Sequence, residues 1–522
     1  MKNFIRSTRL VCVVLLAVFA FSCTKSTEQE IIDIPIIEAP QNSKLSTIIL
    51  EEGNNVYGHI VDTAYNPIPN VAVSDGYSVV LTNTKGEFQF KKHANAGFVF
   101  YSTPSNYAVS TATGRNVAYF YAQLNGKDDT ERHTFVLQPL AIDENKFTLY
   151  AIGDPQVANV NEVNRFIDET MKDIIEQLAK SNTPSYGISL GDVVADQPSL
   201  FNMMKSAMGS SRLPVFTTVG NHDKSGGSVS IPRNTNSFES HYGPLNYSFN
   251  RGDVHFVCMD NVVFKDNSNY SLGFSQEQID WLEKDLALVP KDKMLILYYH
   301  MPIRGTNFST RSRLFELVKG FKEVHFMAGH THYNENYIHT IDGKEIFEHV
   351  HAASCGAWWK STINGDGTPN GYALYEIEGT TIKNWIYKPT NLSSDFQIRL
   401  HLGNASYGGD YGNFSYGKPA STLIANVWNA DPAWKIAVYL DNQYSGDMKL
   451  NTSLNNDAWS LGYHIGVLNR NPANYTTATK HLYTFDLPAN YTGAIKVVAT
   501  DRFGRNFEQS QITTDLSAAI SY

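Results

Sequence analysis

An α/β sandwich between two all-β sandwich domains is the fold class this sequence predicts, and three observations carry it. From about residue 147 to 372, apolar runs of the buried-strand type alternate with segments of helical period. Before that stretch, short runs broken by turn dipeptides read as strands alone. After about residue 372 helical periodicity disappears again, and segments such as LIANVWNADPAWKIAVYLD and LYTFDLPANYTGAIKVVATDRFG alternate and turn like sandwich strands.

Taken from the start, MKNFIRSTRLVCVVLLAVFAFSC places Lys2, Arg6 and Arg9 ahead of an apolar run from Leu10 to Phe21. That run is too short to span a bilayer comfortably, so residues 1–22 read as a signal peptide. Its end, AFSC, resembles a bacterial lipobox. The expectation is therefore a lipidated Cys23 on an exported chain, anchored to a bacterial membrane at the periplasmic face or cell surface. A polar, proline-spiced tether fills the rest of 23–50. Without the leader's three cations, 39 basic residues face 51 acidic ones, a charge of −12. No basic run or stripe appears, which disfavours nucleic acid as a partner. Beyond the lipidated Cys23 only Cys258 and Cys355 remain, so no disulfide framework supports the fold. No later segment is apolar enough to cross a bilayer.

Residues 51–140 hold strand-like runs punctuated by Asn66-Pro67, Asp75-Gly76 and Lys85-Gly86, an N-terminal β-sandwich. The stretch resembles the carboxypeptidase regulatory-like domain in its turns and its closing G-x-F-x-F hairpin, which implies a structural role. The central domain is expected over 145–375. There FTLYAIG is a buried-type strand, and in NEVNRFIDETMKDIIEQLAKS the residues Val163, Phe166, Ile167, Met171, Ile174, Ile175 and Leu178 fall at helical spacing. Further strands are expected at 186–190, 214–219, 254–259, 294–299 and 324–328, and a helix in SQEQIDWLEKDLALV. The C-terminal β-sandwich domain takes 376–522.

Polar residues gather just after the central strands. FTLYAIG leads to Asp154-Pro155-Gln156, YGISL to Gly191-Asp192, PVFTTV to Gly220-Asn221-His222-Asp223, MLILYY to His300, and VHFMA to Gly329-His330-Thr331-His332. In open α/β sheets, ligands bind at the carboxyl ends of strands. Carboxylate, amide oxygen and imidazole together suit divalent ions such as Mn, Fe or Zn, and the absence of thiolates argues against a closed structural zinc site. Six or seven ligands exceed one ion's needs and imply two divalent metal ions sharing a bridge.

Read in order, D-x-Q, G-D, G-N-H-D, H and G-H-x-H resemble the calcineurin-like metallophosphoesterase superfamily over roughly 147–372, and the β flanks, with CGAWW and DGTPNGY, resemble a three-part bacterial branch of it. The resemblance implies a two-sheet central sandwich. It implies one metal held by Asp154, Asp192 and His332, and another by Asp192, Asn221, His300 and His330, with Asp192 as the bridge. It also implies a metal-bound hydroxide as the attacking group, with His222 beside the leaving oxygen as proton donor or charge stabiliser. Two positions depart from the pattern. Gln156 stands where the family has histidine, either as a ligand through its amide oxygen or as a water-mediated neighbour. Asp196 lies one residue further from Asp192 than in G-D-x-x-D, which leaves its role of orienting His222 open.

Most of the 16 histidines need no special role. His255 and His325 read as core; His59, His93, His133, His401, His464 and His481 read as surface; His349 and His351 read as sheet residues, with an approach to the cleft as the alternative. Trp358 and Trp359 either wall a pocket or wedge domains together, and Arg304 is either a phosphate clamp or a surface residue. The function expected is hydrolysis of a phosphomonoester or phosphodiester, whether of a small molecule, a lipid or a glycan. The rival is a cell-surface binding or structural lipoprotein whose phosphatase domain has decayed, with Gln156 as its one supporting residue.

Overall fold

The computed structural model describes residues 44–519 apart from 112–116, 127–128, 227, 229, 231 and 455. The leader, Cys23 and most of the tether lie outside the described residues. Among the described residues no helix is long and apolar enough to cross a membrane.

Two facing sheets make the centre. One is five-stranded in the order Val215–Thr217, Ser185–Ser189, Lys146–Ile152, Gly371–Glu378, Thr381–Pro389; its first three strands run parallel and the last two antiparallel. The other has six strands in the order Tyr247–Arg251, Val254–Cys258, Met294–Tyr298, Glu323–Ala328, Lys344–Val350, Glu335–Ile341. Within it, Val254–Cys258, Met294–Tyr298, Glu323–Ala328 and Lys344–Val350 are parallel. Met294–Tyr298 is buried throughout, as a strand covered on both faces must be. Both sheets aim the carboxyl ends of their parallel strands at one rim. The helix expected in 161–181 forms over Val160–Leu178 with a π-helical middle, Phe166–Met171, and Gln276–Ala287 starts at a capping box between Ser275 and Gln278.

The N-terminal domain pairs a three-stranded with a four-stranded sheet around Val56, Ile60, Val73, Phe88, Val99 and Phe135. It is fixed to the centre by Arg251, which is fully buried. Its guanidinium meets Glu144 at 2.7 Å and donates to the carbonyls of Tyr107 and Pro104 at 2.8 Å each. Trp281 Nε1 adds a bond to Ser74 Oγ at 3.0 Å.

The C-terminal domain is built on two four-stranded sheets. It differs from the strand-only expectation in a short helix, Pro472–Tyr475, and in a helical turn at Ala458–Leu461 continuing as the π-helical Gly462–Val467. Asp457 caps the latter by accepting from Ser460 N at 2.7 Å, a signal that the glycines of WSLGYHIGV mask in the sequence. His481 reaches Asp366 of the DGTPNGY loop at 2.9 Å, and Asp366 in turn accepts from Asn334 N at 3.0 Å.

The surface assignment of several histidines is overturned. His59, His401, His464 and His481 are buried, because each ring finds partners inside a sandwich, as His401 does with Tyr407 Oη at 2.8 Å. His255, His325, His349 and His351 are buried in the central sheets, in line with the core and sheet readings.

Candidate metal centre

The loops that leave the rim are short and strained. Asp154, Gln156, Asp192, Asp196, His330 and His332 all hold positive φ, between 41° and 71°. Each such residue costs of order 1–3 kcal/mol and persists only where its surroundings over-determine it. Here close backbone contacts do so. A Cβ on Gly220 would lie 2.2 Å from both the amide nitrogen and Oδ1 of Asp192, and one on Gly329 would lie 2.4 Å from Asp154 Oδ2. These two turns exist because glycine leaves that space to a carboxylate.

One group of side chains centres on His300, which is fully buried after Met294–Tyr298. Its Nδ1–H donates to Leu190 O at 2.8 Å, which turns Nε2 into the site. That Nε2 faces Asn221 Oδ1 at 3.0 Å, His330 Nδ1 at 3.2 Å and an Asp192 oxygen at 3.3 Å. Ligand atoms of Asp192, His300 and His330 all lie within 4.8 Å of one another. Asn221 and Asp192 turn acceptors toward a third acceptor, so a proton or a cation must sit among them.

A second group shares Asp192. Asp154 is fully buried, accepts from His330 N at 3.0 Å through either oxygen, and lies 3.7 Å from His332 Nε2. Gln156 donates from Nε2 to Asp192 Oδ2 at 3.2 Å, leaving Oε1 buried without a hydrogen-bond partner. An orphaned buried oxygen on an amide hydrogen-bonded to a buried carboxylate is costly, and a cation removes the cost.

The electrostatics agree. Burial, reinforced by the Asp192 charge and opposed by His300, pushes Asp154 above the usual carboxylate range. Burial also raises Asp192, but His300 outweighs it and holds the group well below that range. His330 is pushed down to about 3 by burial and then by His300, and His332 to about 4, chiefly by burial. Neutral His330 and His332 beside buried carboxylates are in the protonation state that binds a divalent ion. His300 differs: burial opposes its charge, but Asp192 outweighs burial and raises it to about 9, so an ion bound there would displace the Nε2 proton. The residues present therefore fit such ions by donor type, by neutrality of His330 and His332 and by the unpaired oxygen of Gln156.

His222 does not join either group. Its amide donates to Asp192 Oδ1 at 2.8 Å, and its Nδ1 meets Asp196 Oδ2 at 2.7 Å. Asp196 thus reaches His222 despite the extra residue in its spacing, because Asp196 itself turns through a φ of 56°. Its other oxygen pairs with Arg233, which no motif singled out. Asp223, also fully buried, braces the turn by accepting from Val194 N at 3.0 Å and Gly220 N at 2.9 Å. Lys224 ties the same turn to the second sheet through Asp260 at 2.6 Å. The sequence offers no signal for Lys224 or Arg233 beyond a charge near a glycine-rich loop.

Trp359 donates from Nε1 to Pro155 O at 2.8 Å, while Trp358 lies 4.8 Å from the His332 ring and 5.2 Å from Tyr475 of the C-terminal domain. The pair therefore joins the metal rim to that domain. Arg304 pairs with Glu335 at 2.5 Å and with Tyr333 Oη at 2.6 Å, away from the metal groups' own contacts.

Comparison with known proteins agrees with this geometry. Three family models match in chain order: the N terminal of Calcineurin-like phosphoesterase over 54–140, Calcineurin-like phosphoesterase over 147–334, and the C terminal of Calcineurin-like phosphoesterase over 348–507. No curated protein matches. Among solved structures, purple acid phosphatase PPD1 from yellow lupin (Lupinus luteus) seeds is similar at 14% identity over 69% of this chain and 66% of that one, with a TM-score of 0.29. The 5'-nucleotidase from Candida albicans is similar at 14% identity over 48% and 51%, with a TM-score of 0.30. The 5'-nucleotidase precursor from Thermus thermophilus is similar at 11% identity over 72% and 88%, with a TM-score of 0.29. The chain thus spans 66% and 51% of the length of the first two of these structures. With its N-terminal, catalytic and C-terminal parts all matched in order, the chain belongs to the calcineurin-like phosphoesterase family, and its central domain is that family's catalytic domain.

Proposed function

We propose that the protein hydrolyses a phosphomonoester or phosphodiester at a binuclear site. Asp154, Gln156, Asp192 and His332 would hold one divalent ion, of the Mn, Fe or Zn kind; Asp192, Asn221, His300 and His330 would hold the other. The observation that carries this reading is the meeting of three acceptors at His300 Nε2, with the unpaired Gln156 oxygen beside them. When bound, such ions supply a water acid enough to act as nucleophile near neutral pH and offset charge on the ester's oxygens.

The chain's own residues do the positioning. Asp192 accepts the His222 amide and so fixes the turn that carries the ring. With Nδ1 held by Asp196, the His222 ring keeps Nε2 for a leaving oxygen, as proton donor or charge stabiliser. The buried floor of Asp154, Asp192 and His300 limits water around the charges and strengthens every contact made there.

The reading also takes the chain as exported and lipid-anchored at Cys23, acting on a small-molecule, lipid or glycan phosphate ester outside the cytoplasm. Its support is the basic, apolar and lipobox-like order of residues 1–23.

The test is hydrolysis of p-nitrophenyl phosphate and bis-p-nitrophenyl phosphate by metal-stripped protein titrated with Mn, Zn, Fe or Mg, beside His222→Ala and Asp192→Asn. Metal-dependent turnover that collapses in both variants supports the reading, and the preferred ester separates monoesterase from diesterase. No turnover with any metal, together with no bound ion, moves the protein to the rival reading of a cell-surface binding lipoprotein with a degenerate phosphatase domain.

A further inference from the structure

The strand Val254–Cys258 ends at the metal rim, and the chain then forms a two-stranded hairpin, Val262–Phe264 against Tyr270–Leu272. The Tyr270 ring stands edge-on to the His330 ring, 6.1 Å away at 80°. It remains 37% exposed, whereas core rings such as Phe249 and Phe256 stack at 4.6 Å and are shut away from water. Phe264 lies 5.1 Å from Tyr270 and carries the Arg233 guanidinium 5.5 Å from its centre. Arg233 also donates from Nε to Asn267 O, in the hairpin's own turn, at 3.0 Å. Through Asp196, Arg233 leads on to His222 Nδ1. A single hairpin therefore touches a metal-group imidazole at one side and, through two ion pairs, the histidine assigned to the leaving oxygen at the other.

We propose that this hairpin is the leaving-group subsite, with Tyr270 as its specificity-determining side chain, and that it favours phosphate esters whose leaving group carries a flat ring. The proposal rests on the phosphoesterase reading above. A group departing past His222 crosses the hairpin, where the open part of the Tyr270 ring offers a stacking partner. Stacking on an aromatic side chain is worth roughly a tenfold preference.

The experiment compares the parent, Tyr270→Ala and Tyr270→Phe, each reconstituted with metal. Substrates are the aryl esters p-nitrophenyl phosphate and bis-p-nitrophenyl phosphate and the alkyl esters glycerol 2-phosphate and glycerophosphocholine. Tyr270→Ala is expected to lose roughly tenfold in kcat/KM on the aryl ester, mostly through KM, and less than about twofold on the alkyl ester. Tyr270→Phe keeps the ring and is expected to match the parent. Metal content and Tm, measured on the same samples, identify a variant that has lost its fold, and Tyr270→Phe then decides between ring and hydroxyl. A parent inactive on every ester overturns the phosphoesterase reading and this one with it. An active parent whose Tyr270→Ala variant loses equally on both ester types, or not at all on the aryl ester, leaves the phosphoesterase reading standing and overturns the subsite.

Discussion

Asp196 shows how one side chain governs another at this site. One oxygen takes His222 Nδ1 at 2.7 Å and the other pairs with Arg233, so the carboxylate is held from both sides. An amide at this position has one acceptor oxygen for two donors, so either the His222 ring or Arg233 meets an N–H. Asp196→Asn is therefore expected to lower kcat by about 10- to 100-fold while KM and metal stoichiometry stay near the parent's; steady-state kinetics with metal analysis on the same sample checks it. Gln156 makes a different case. Removing its amide takes away a donor to Asp192 and the unpaired oxygen together. Gln156→Ala is expected to weaken one ion by roughly 10- to 100-fold and leave the other unchanged, which a calorimetric metal titration resolves as two unequal sites. The sequence showed Gln156 as a departure from a motif but not its geometry, because nothing in D-P-Q indicates which end of the amide faces Asp192. The role of Asp196 stayed open in the sequence for a related reason: a spacing rule assumes one turn shape, and a left-handed aspartate changes the reach.

Elements whose signals are local were legible, and those settled by distant contacts were not. The helix Gln276–Ala287 is written in SQEQIDWLEKDLALV, with Ser275 and Gln278 closing a capping box and Ile279, Trp281, Leu282 and Leu286 forming the buried face. Ser275→Ala is expected to cost about 1 kcal/mol, read as a small Tm loss with activity kept, since the cap lies outside the metal groups. The strand–turn junctions were equally legible, because an apolar run ending in glycine and a ligand-type residue is a pattern of adjacent residues. What those glycines do was not. Gly329→Ala drives a Cβ to 2.4 Å from Asp154 Oδ2, a contact with a residue far away in sequence that only the folded chain reveals. That variant is expected to lose metal binding along with several degrees of Tm, since neither the carboxylate nor the strand end can retreat from a packed sheet. Normal ion content in Gly329→Ala would show that the turn has slack. The helix at 458–467 was missed for the opposite reason: two glycines weaken its helical pattern, and burial against the β-sandwich restores it.

Across the whole molecule, buried histidines make stability depend on pH, and the direction follows from burial. His351, His401 and His464 are pushed down to about 4, with desolvation as the largest cause, and burial likewise holds His349 well below the ordinary value. In the unfolded chain each titrates near 6.5. The folded value is the lower one, so between the two the unfolded state binds more protons and stability rises with pH. The contribution is complete above about pH 6.5 and drains away as the pH falls through about 4. At pH 5 this amounts to about 2 kcal/mol per histidine, on the order of 6 kcal/mol for the three together. These residues sit in the central sheet and the C-terminal sandwich, so acid should loosen both before carboxylates with depressed values, such as Asp62 and Glu87, begin to titrate. Sequence pattern placed His401 and His464 on the surface, and on that reading little acid sensitivity would follow; their burial inside a polar network makes the difference. Calorimetry from pH 7.5 to pH 4.5, with metal saturating, should show Tm falling most steeply below about pH 6.5. His401→Gln, which fills the site next to Tyr407 with a group that does not titrate, should flatten that slope even if its Tm at pH 7.5 is lower. A slope identical to the parent's would mean that His401 keeps its ordinary titration in the folded chain, and the acid sensitivity would then have to come from elsewhere.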